Sequence, residues 1–338
     1  YKELLTDENL GLDTEVLLRF HVSDVTNQQN HLERVLQKQG RQGLVSIIGQ
    51  PPASQSKIAL EAYHIKSESP IQKHQIQDKS LLVKHGAYQS LWSCCRPNSI
   101  GPSYQQTQQL FGQLSHALRE NGATLEDNVI RTWLYVRDVD NNYQGMVDAR
   151  RELFELVGMN KATHYIASTG IEGCGENVSD LVIMDVLSVM GMDPSQIVYM
   201  SAPSYLCPTY EYNVTFERAT QVIYGDRSHY YISGTASIDH EGNILHVGNV
   251  EKQAHRTIKN IQALLNNYGG DLNDLKILIV YLRDISDYAK VTSFLKENLP
   301  ANLPYVMVQG SVCRPLWLIE MEGIAISPYS NMEFNPFC

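Results

Sequence analysis

A carboxylate set among apolar side chains is the first feature of this chain that calls for a chemical explanation. Glu320 lies in LWLIEMEGIA between Leu316, Leu318, Ile319 and Met321. A carboxylate there is costly unless it is paired, or kept protonated by a raised pKa. A protonated carboxyl is a proton donor at neutral pH. The same pattern fits a plainer alternative, in which Glu320 and Glu322, two residues apart, share the solvated face of an edge strand. Arg314 follows Cys313 on the preceding expected strand and stands before Pro315, which fixes a turn. Its planar fork either grips a carboxylate at two points or forms a surface ion pair. Cys313 could line or polarise a pocket, although a buried cysteine most often acts as a small apolar filler. Upstream, Tyr212 and Arg218 offer a phenol and a cation to an anionic substrate; Tyr212 carries less weight because the chain has 19 tyrosines. Ser233, Gly234 and Thr235 mark a place where backbone amides could approach a ligand closely, since glycine has no Cβ, or where a strand bulges.

The elements that position these residues follow from periodicity. A β-rich opening reaches Thr235, and a helix is expected over 250–268, where Ala254, Ile258, Ile261 and Leu265 recur at helical spacing before Gly269 and Gly270 stop it. The apolar run 275–282 reads as a buried strand, Ser286-Asp287 opens a second helix, and two strands finish the unit. The chain upstream echoes this order. VIRTWLYVRDV parallels ILIVYLRDI, so that Tyr135, Arg137 and Asp138 match Tyr281, Arg283 and Asp284. A strand-like stretch at 81–94 and helices at 104–121 and 143–157 flank the first of these runs. A diverged second copy of one unit is the simplest account. In this alignment Asp185 is the counterpart of Glu320. Nothing in the first copy replaces Cys313-Arg314, so chemistry is expected in the second copy and scaffolding in the first. The repeated Arg-Asp pairs read as structural caps. Before both copies, 16–22, 27–38 and 44–48 read as strand, helix and strand, with a further strand at 58–65 and a polar exposed loop at 66–79. Between the copies, a connector at 195–226 holds a loop bracketed by Pro203 and Pro208 and a strand at 214–222.

Over residues 230–326, the order SGTAS, a helix carrying NI, a strand ending YLRD, a second helix, a Cys-containing strand and EMEGIA resembles the Rid (YjgF) superfamily. The resemblance implies an α+β fold of two tandem Rid or chorismate-mutase-like units, each a mixed β-sheet with two helices packed on one face. It also implies a homo-oligomer, a trimer by preference, with small-molecule sites at the seams between units. The expected domains are 1–190, with an extra strand-helix-strand segment at 1–65, and 191–338, which includes the connector.

The connector ends in Phe216, Arg218 and Ala219 and is followed by SGTASI; with the Cys-bearing second half it is similar to the two-domain chorismatases. That likeness implies acid-assisted release of pyruvate from a carboxylated enol ether. Glu320 and Cys313 would be the catalytic residues, and Arg314, Arg218, Tyr212, Gly234 and Thr235 would surround the substrate. A Rid-type imine or enamine deaminase competes with this reading. The essential arginine of those enzymes lies two residues after a proline near the start of the Cys-bearing strand, and alignment on Pro304 puts Val306 there. Valine cannot pair with a carboxylate. A non-catalytic metabolite-binding protein is the third reading.

Composition narrows the partners. With 338 residues the chain can form two domains, and its 27 Lys and Arg against 37 Asp and Glu leave a net charge of −10. An acidic protein gains little from the counterion release that drives nucleic-acid binding, which argues against RNA cleavage. Cys94, Cys95, Cys174, Cys207, Cys313 and Cys338 form no CxxC pair, so no metal is expected, and free thiols fit a reducing cytoplasm. No phosphate loop or Rossmann fingerprint is present, so no cofactor is expected. No apolar run of about eighteen residues spans a membrane. The expected ligand is a small anionic metabolite. The chain begins at Tyr1 rather than Met, which leaves room for a leader.

Overall fold

In the computed structural model, which describes residues 1–76 and 79–338, three sheets follow one another along the chain. After a short helix α1 (Lys2–Asp7), β1 (Glu15–Val22) leads through α2 (Val25–Lys38) to β2 (Leu44–Gly49), parallel to β1, and β3 (Ile58–His64) returns antiparallel on the other side. The second sheet is built from β4 (Gln72–Ile76), β5 (Ser80–His85), β6 (Tyr88–Cys95), then α3 (Ser103–Glu120), the single-turn α4 (Leu125–Asn128), β7 (Val129–Val136), α5 (Val139–Leu156), β8 (Ala167–Glu172) and β9 (Val182–Met190). The third holds β10 (Ile197–Met200), β11 (Ala219–Ile223), β12 (Ser228–Ala236), α6 (Val250–Asn267), β13 (Leu275–Leu282), α7 (Tyr288–Asn298), β14 (Tyr305–Gln309) and β15 (Ile319–Ser327). Spatial order is β4-β5-β6-β9-β7-β8 in one and β10-β11-β12-β15-β13-β14 in the other, one topology used twice. The chain is therefore α+β with two tandem units, as its sequence implies. Among the described residues no helix is long and apolar enough to cross a membrane.

The helices form where the apolar stripes lie. α6 buries Ala254, Ile258, Ile261 and Leu265, and its start is capped by the Asn249 side chain accepting from the Lys252 amide. α3 and α5 bury Leu110, Leu114, Met146 and Phe154 against the second sheet. The second Arg-Asp pair caps its corner as expected, whereas in the first the Asp138 carboxylate accepts from the Asn141 side chain and caps no helix amide. Arg137 and Arg283 both bond backbone carbonyls across the corner, at Gly175 and Val312 respectively, and Asp284 accepts from the Ser286 amide.

Several expectations need correction. The polar stretch 66–79 contains the edge strand β4, whose side chains stay largely exposed, so its polarity hid the pairing; residues 77 and 78 lie outside the described residues. The run 81–94 is a hairpin, β5 and β6, turning at Gly86 with φ +52°. The connector strand starts only at Ala219. Cys313 and Arg314 lie in the loop after β14, not on a strand. Glu320 and Glu322 are not on a solvated edge: β15 runs between β12 and β13, and the two residues are 6% and 2% exposed.

Strand register reveals a third, partial repeat. β1-α2-β2-β3, β7-α5-β8-β9 and β13-α7-β14-β15 share one topology, and Arg19, Trp133 and Ile279 face Glu61, Asp185 and Glu322 respectively. Asp185 is thus the counterpart of Glu322. The places equivalent to Glu320 are held by Ile183, facing Tyr135, and Ala59, facing His21. The sequence alignment slipped by two residues because a two-residue shift leaves every side chain on the same face. Three hydrogen bonds at equivalent positions then run cyclically: Gly49 N to Cys174 O (2.7 Å), Glu172 N to Ser311 O (3.1 Å) and Gln309 N to Pro51 O (2.8 Å). The amino-terminal half-unit closes a ring of three with the two full units.

Candidate active site

The ring has seams, and the residues singled out in the sequence gather at the one between the second and third sheets, where β8 lies against β12. A cavity of about 220 Å³ opens there. Glu320 reaches it from β15, Gly234 and Ala236 from β12, and Ser168 and Thr169 from β8. Arg150 comes from α5, Tyr212 and Arg218 from the connector, and Cys313 and Arg314 from the loop after β14. Ser233, whose hydroxyl donates to Glu217 O, does not line the cavity, and neither does Thr235. Thr235 faces Met321 across the ladder, so it points to the opposite side from Glu320, and its hydroxyl donates to Ser233 O at 2.9 Å.

Burial sets the chemistry of Glu320. Its carboxyl is pushed from 4.5 up to about 8, chiefly by desolvation and next by the neighbouring Glu322, while Arg131 and Arg218 pull it back only partly. It therefore carries a proton at neutral pH. Glu322, two residues along the same face, pairs with Arg131 and accepts from the hydroxyls of Tyr281 (2.9 Å) and Thr169. Gly234 has a specific purpose here. A Cβ at that position would overlap the Glu320 carboxylate, so only glycine leaves room for the acid. The amide of Gly234 is already engaged, donating to Thr169 Oγ1 at 2.8 Å.

Around the acid the cavity is cationic. Arg150 is 1% exposed; its Nη1 donates to Ser168 Oγ (3.2 Å) and its Nε to Thr215 Oγ1 (3.3 Å), while Nη2 has no partner. Arg218 is also buried and donates from Nη2 to Cys207 O at 2.7 Å, its guanidinium 5.4 Å from the Tyr212 ring centre. Arg314 lies between the rings of Tyr212 (4.7 Å) and Trp317 (4.9 Å) and donates to Gly242 O at 3.4 Å. Among the described residues none of these three arginines forms an ion pair with a carboxylate. Buried guanidinium groups without counter-ions make a receptor for a carboxylated ligand.

Cys313 is a neutral thiol, pushed up to about 12 mainly by burial and then by Glu320; the Tyr143 side chain is hydrogen-bonded to it. It lines the cavity as an uncharged group. Sequence reasoning missed Arg150, Tyr143, Ser168 and Thr169. Arg150 did leave a signal, because it falls four residues after Met146 and four before Phe154, on the apolar stripe of its helix.

The structure also relocates the deaminase comparison. Val306 pairs with Ile279 on β14, and its counterpart in the second sheet is Thr169, which pairs with Trp133 on β8. Thr169, not Val306, lines the Glu320 cavity. Beside β14 sits the half-unit, through a Pro52–Val308 bridge, and among the described residues that half-unit has no counterpart of β10–β12.

A family model described as endoribonuclease L-PSP matches residues 217–327. The 3-aminoacrylate deaminase RutC of Acinetobacter baylyi is 31% identical over 96 residues, which span 28% of this chain and 76% of the relative. A RutC family protein of Pyrococcus abyssi is 36% identical over 96 residues, with the same coverage of 28% and 76%. A chorismatase crystal structure is similar over 93% of each chain, with a TM-score of 0.70 and 19% identity, a likeness of fold.

Proposed function

This chain belongs to the Rid (YjgF) superfamily, and from that premise we propose that the Glu320 cavity is the active site of an enzyme that releases pyruvate from a small carboxylated enol ether. The observation that carries this reading is the pairing of a protonated carboxyl with two buried, counter-ion-free guanidinium groups, Arg150 and Arg218, in one cavity. Arg150, Arg218 and Arg314 hold the substrate carboxylates and orient the enol ether. Glu320 donates its proton to the terminal methylene carbon, and positive charge develops at the ether carbon and its oxygen. Water adds to that carbon, or a neighbouring hydroxyl of the substrate does. With water, one proton of the added water restores Glu320 and the other passes to the ether oxygen as its bond to the former enol carbon breaks, leaving pyruvate and an alcohol. The transient Glu320 carboxylate is stabilised by Arg218 and Arg131, which already favour its charged form. We further assign the threefold ring to one chain, since all three seats are filled from within it.

The relatives named RutC support a second reading, hydrolysis of an enamine or imine such as aminoacrylate. Against it stands Thr169 at the cavity position where those deaminases, by the resemblance, need arginine. One assay separates the two: supply chorismate, and separately freshly generated aminoacrylate, and follow pyruvate with wild type and Glu320→Gln. Chorismate turnover lost in the variant supports the proposal. Accelerated aminoacrylate hydrolysis without chorismate turnover replaces it with the deaminase reading, and saturable binding without turnover of either replaces it with a metabolite-binding protein.

A further inference from the structure

The amino-terminal half-unit creates a second seam, and we infer that this seam binds small carboxylates with an apolar body and does no acid chemistry on them. A cavity of about 510 Å³ opens between α2 with β2 on one side and the end of β6 on the other. Leu44 and Val45, which line it, stand in register where Ala167 and Ser168 stand beside the Glu320 cavity, as shown by the pairings Leu18 with Val45 and Thr132 with Ser168. The same two surfaces of the repeat thus meet twice and leave a cavity both times.

The contents differ in a way that selects a ligand. Arg96 donates to Ser46 Oγ at 3.1 Å and to Cys95 O at 3.0 Å and pairs with Asp185 at 3.4 Å, a carboxylate it shares with Arg19, which holds it at 2.9 Å. Lys79 is exposed at the mouth and forms no ion pair among the described residues. Leu36, Val45, Ile47 and Cys94 supply an apolar lining. A carboxylate fits against Arg96 and Lys79, and a ring or short hydrocarbon body fits the lining. Glu33, on the helix side, accepts from Gln29 at 2.9 Å and keeps the ligand's charged end turned toward β6. The position equivalent to Glu320 is Ile183, buried and apolar, so this seam has no counterpart of the buried acid.

Benzoate is the probe, titrated calorimetrically into the full chain carrying Arg150→Met, which weakens binding in the Glu320 cavity so that the response to the variants below identifies this seam. One saturable site per chain is expected. Arg96→Gln with Lys79→Gln should weaken it at least tenfold, and Val45→Trp, which fills the cavity without touching a charge, should abolish it. Lys79→Gln alone, a surface change, tests the charge contribution if the Arg96 variant does not fold. Absence of saturable binding, or binding indifferent to Val45→Trp and to Lys79→Gln, overturns the inference. Pyruvate release by the wild type reports on the Glu320 cavity separately, so the two failures are distinguishable.

Discussion

Replacing Glu320 by glutamine should change how stability depends on pH, in a direction opposite to that of most carboxylates. The unfolded chain releases this proton near its ordinary value of 4.5, whereas the folded chain keeps it until about 8. Between those values the folded state binds the extra proton, so wild-type stability falls as pH rises through the window. At about 1.4 kcal/mol per pH unit, the gap amounts to roughly 5 kcal/mol lost by pH 8 relative to pH 4. Glutamine has the same shape and no proton to lose, so it escapes this loss. Urea unfolding of both proteins from about pH 5 to about pH 9 measures the difference. The variant should gain on the wild type steadily across the window and stop gaining above about 8. A difference that stays constant with pH, or that shrinks as pH rises, refutes the claim that burial holds Glu320 protonated.

Arg150→Met should leave the fold intact, because it removes a buried charge that has no counter-ion among the described residues, and should raise KM for a carboxylated substrate at least tenfold in steady-state assays with thermal melting as the control. Glu322→Gln strands Arg131 in the core and should destabilise the chain by about 3–5 kcal/mol in denaturant titrations. It also removes the charge that helps raise Glu320, so the alkaline limit of activity should move to lower pH in the surviving protein. Val306→Arg should create no aminoacrylate hydrolysis, because that residue does not line the Glu320 cavity; a gain of such activity would disprove the register assignment.

The repeat was legible because it is written in long apolar strands and in Arg-Asp pairs whose chemistry is local. Strand 275–282 and the capped helix after Asn249 follow from their own residues. The half-unit was not legible as a third seat, since closure of the ring rests on backbone hydrogen bonds at Gly49, Glu172 and Gln309 that no side-chain pattern encodes. Glu320 could be picked out as a carboxyl in apolar company. Its cationic surroundings could not, since Arg150 lies on a helix of the other unit and meets Glu320 only across the seam. The wrong partner for Glu320, Asp185, arose because apolar strands constrain which face a residue takes and leave a two-residue slip undetermined.

Three equivalent positions in the ring carry carboxylates, and the contrast among them explains the single acid. Glu61 and Asp185 are both bonded by Arg19 at 2.9 Å, and Glu322 is bonded by Arg131. Each of these has a guanidinium at contact distance. Glu320 lies on the same face as Glu322, two residues away, and Arg131 is already engaged by that neighbour. What reaches Glu320 is the repulsion of Glu322 and a share of Arg131 and Arg218, which is not enough to offset its desolvation. Of the two carboxyls on this strand, one is taken up in a guanidinium pair and the other is held neutral as a donor. The second seam shows the converse. Ile183 stands in the place of Glu320, two residues from Asp185, which Arg19 and Arg96 pair at 2.9 and 3.4 Å, so that seam keeps its carboxylate in an ion pair and has no second carboxyl beside it. Proton donation in this ring therefore depends less on where a carboxyl is placed than on which arginines its neighbours have already taken.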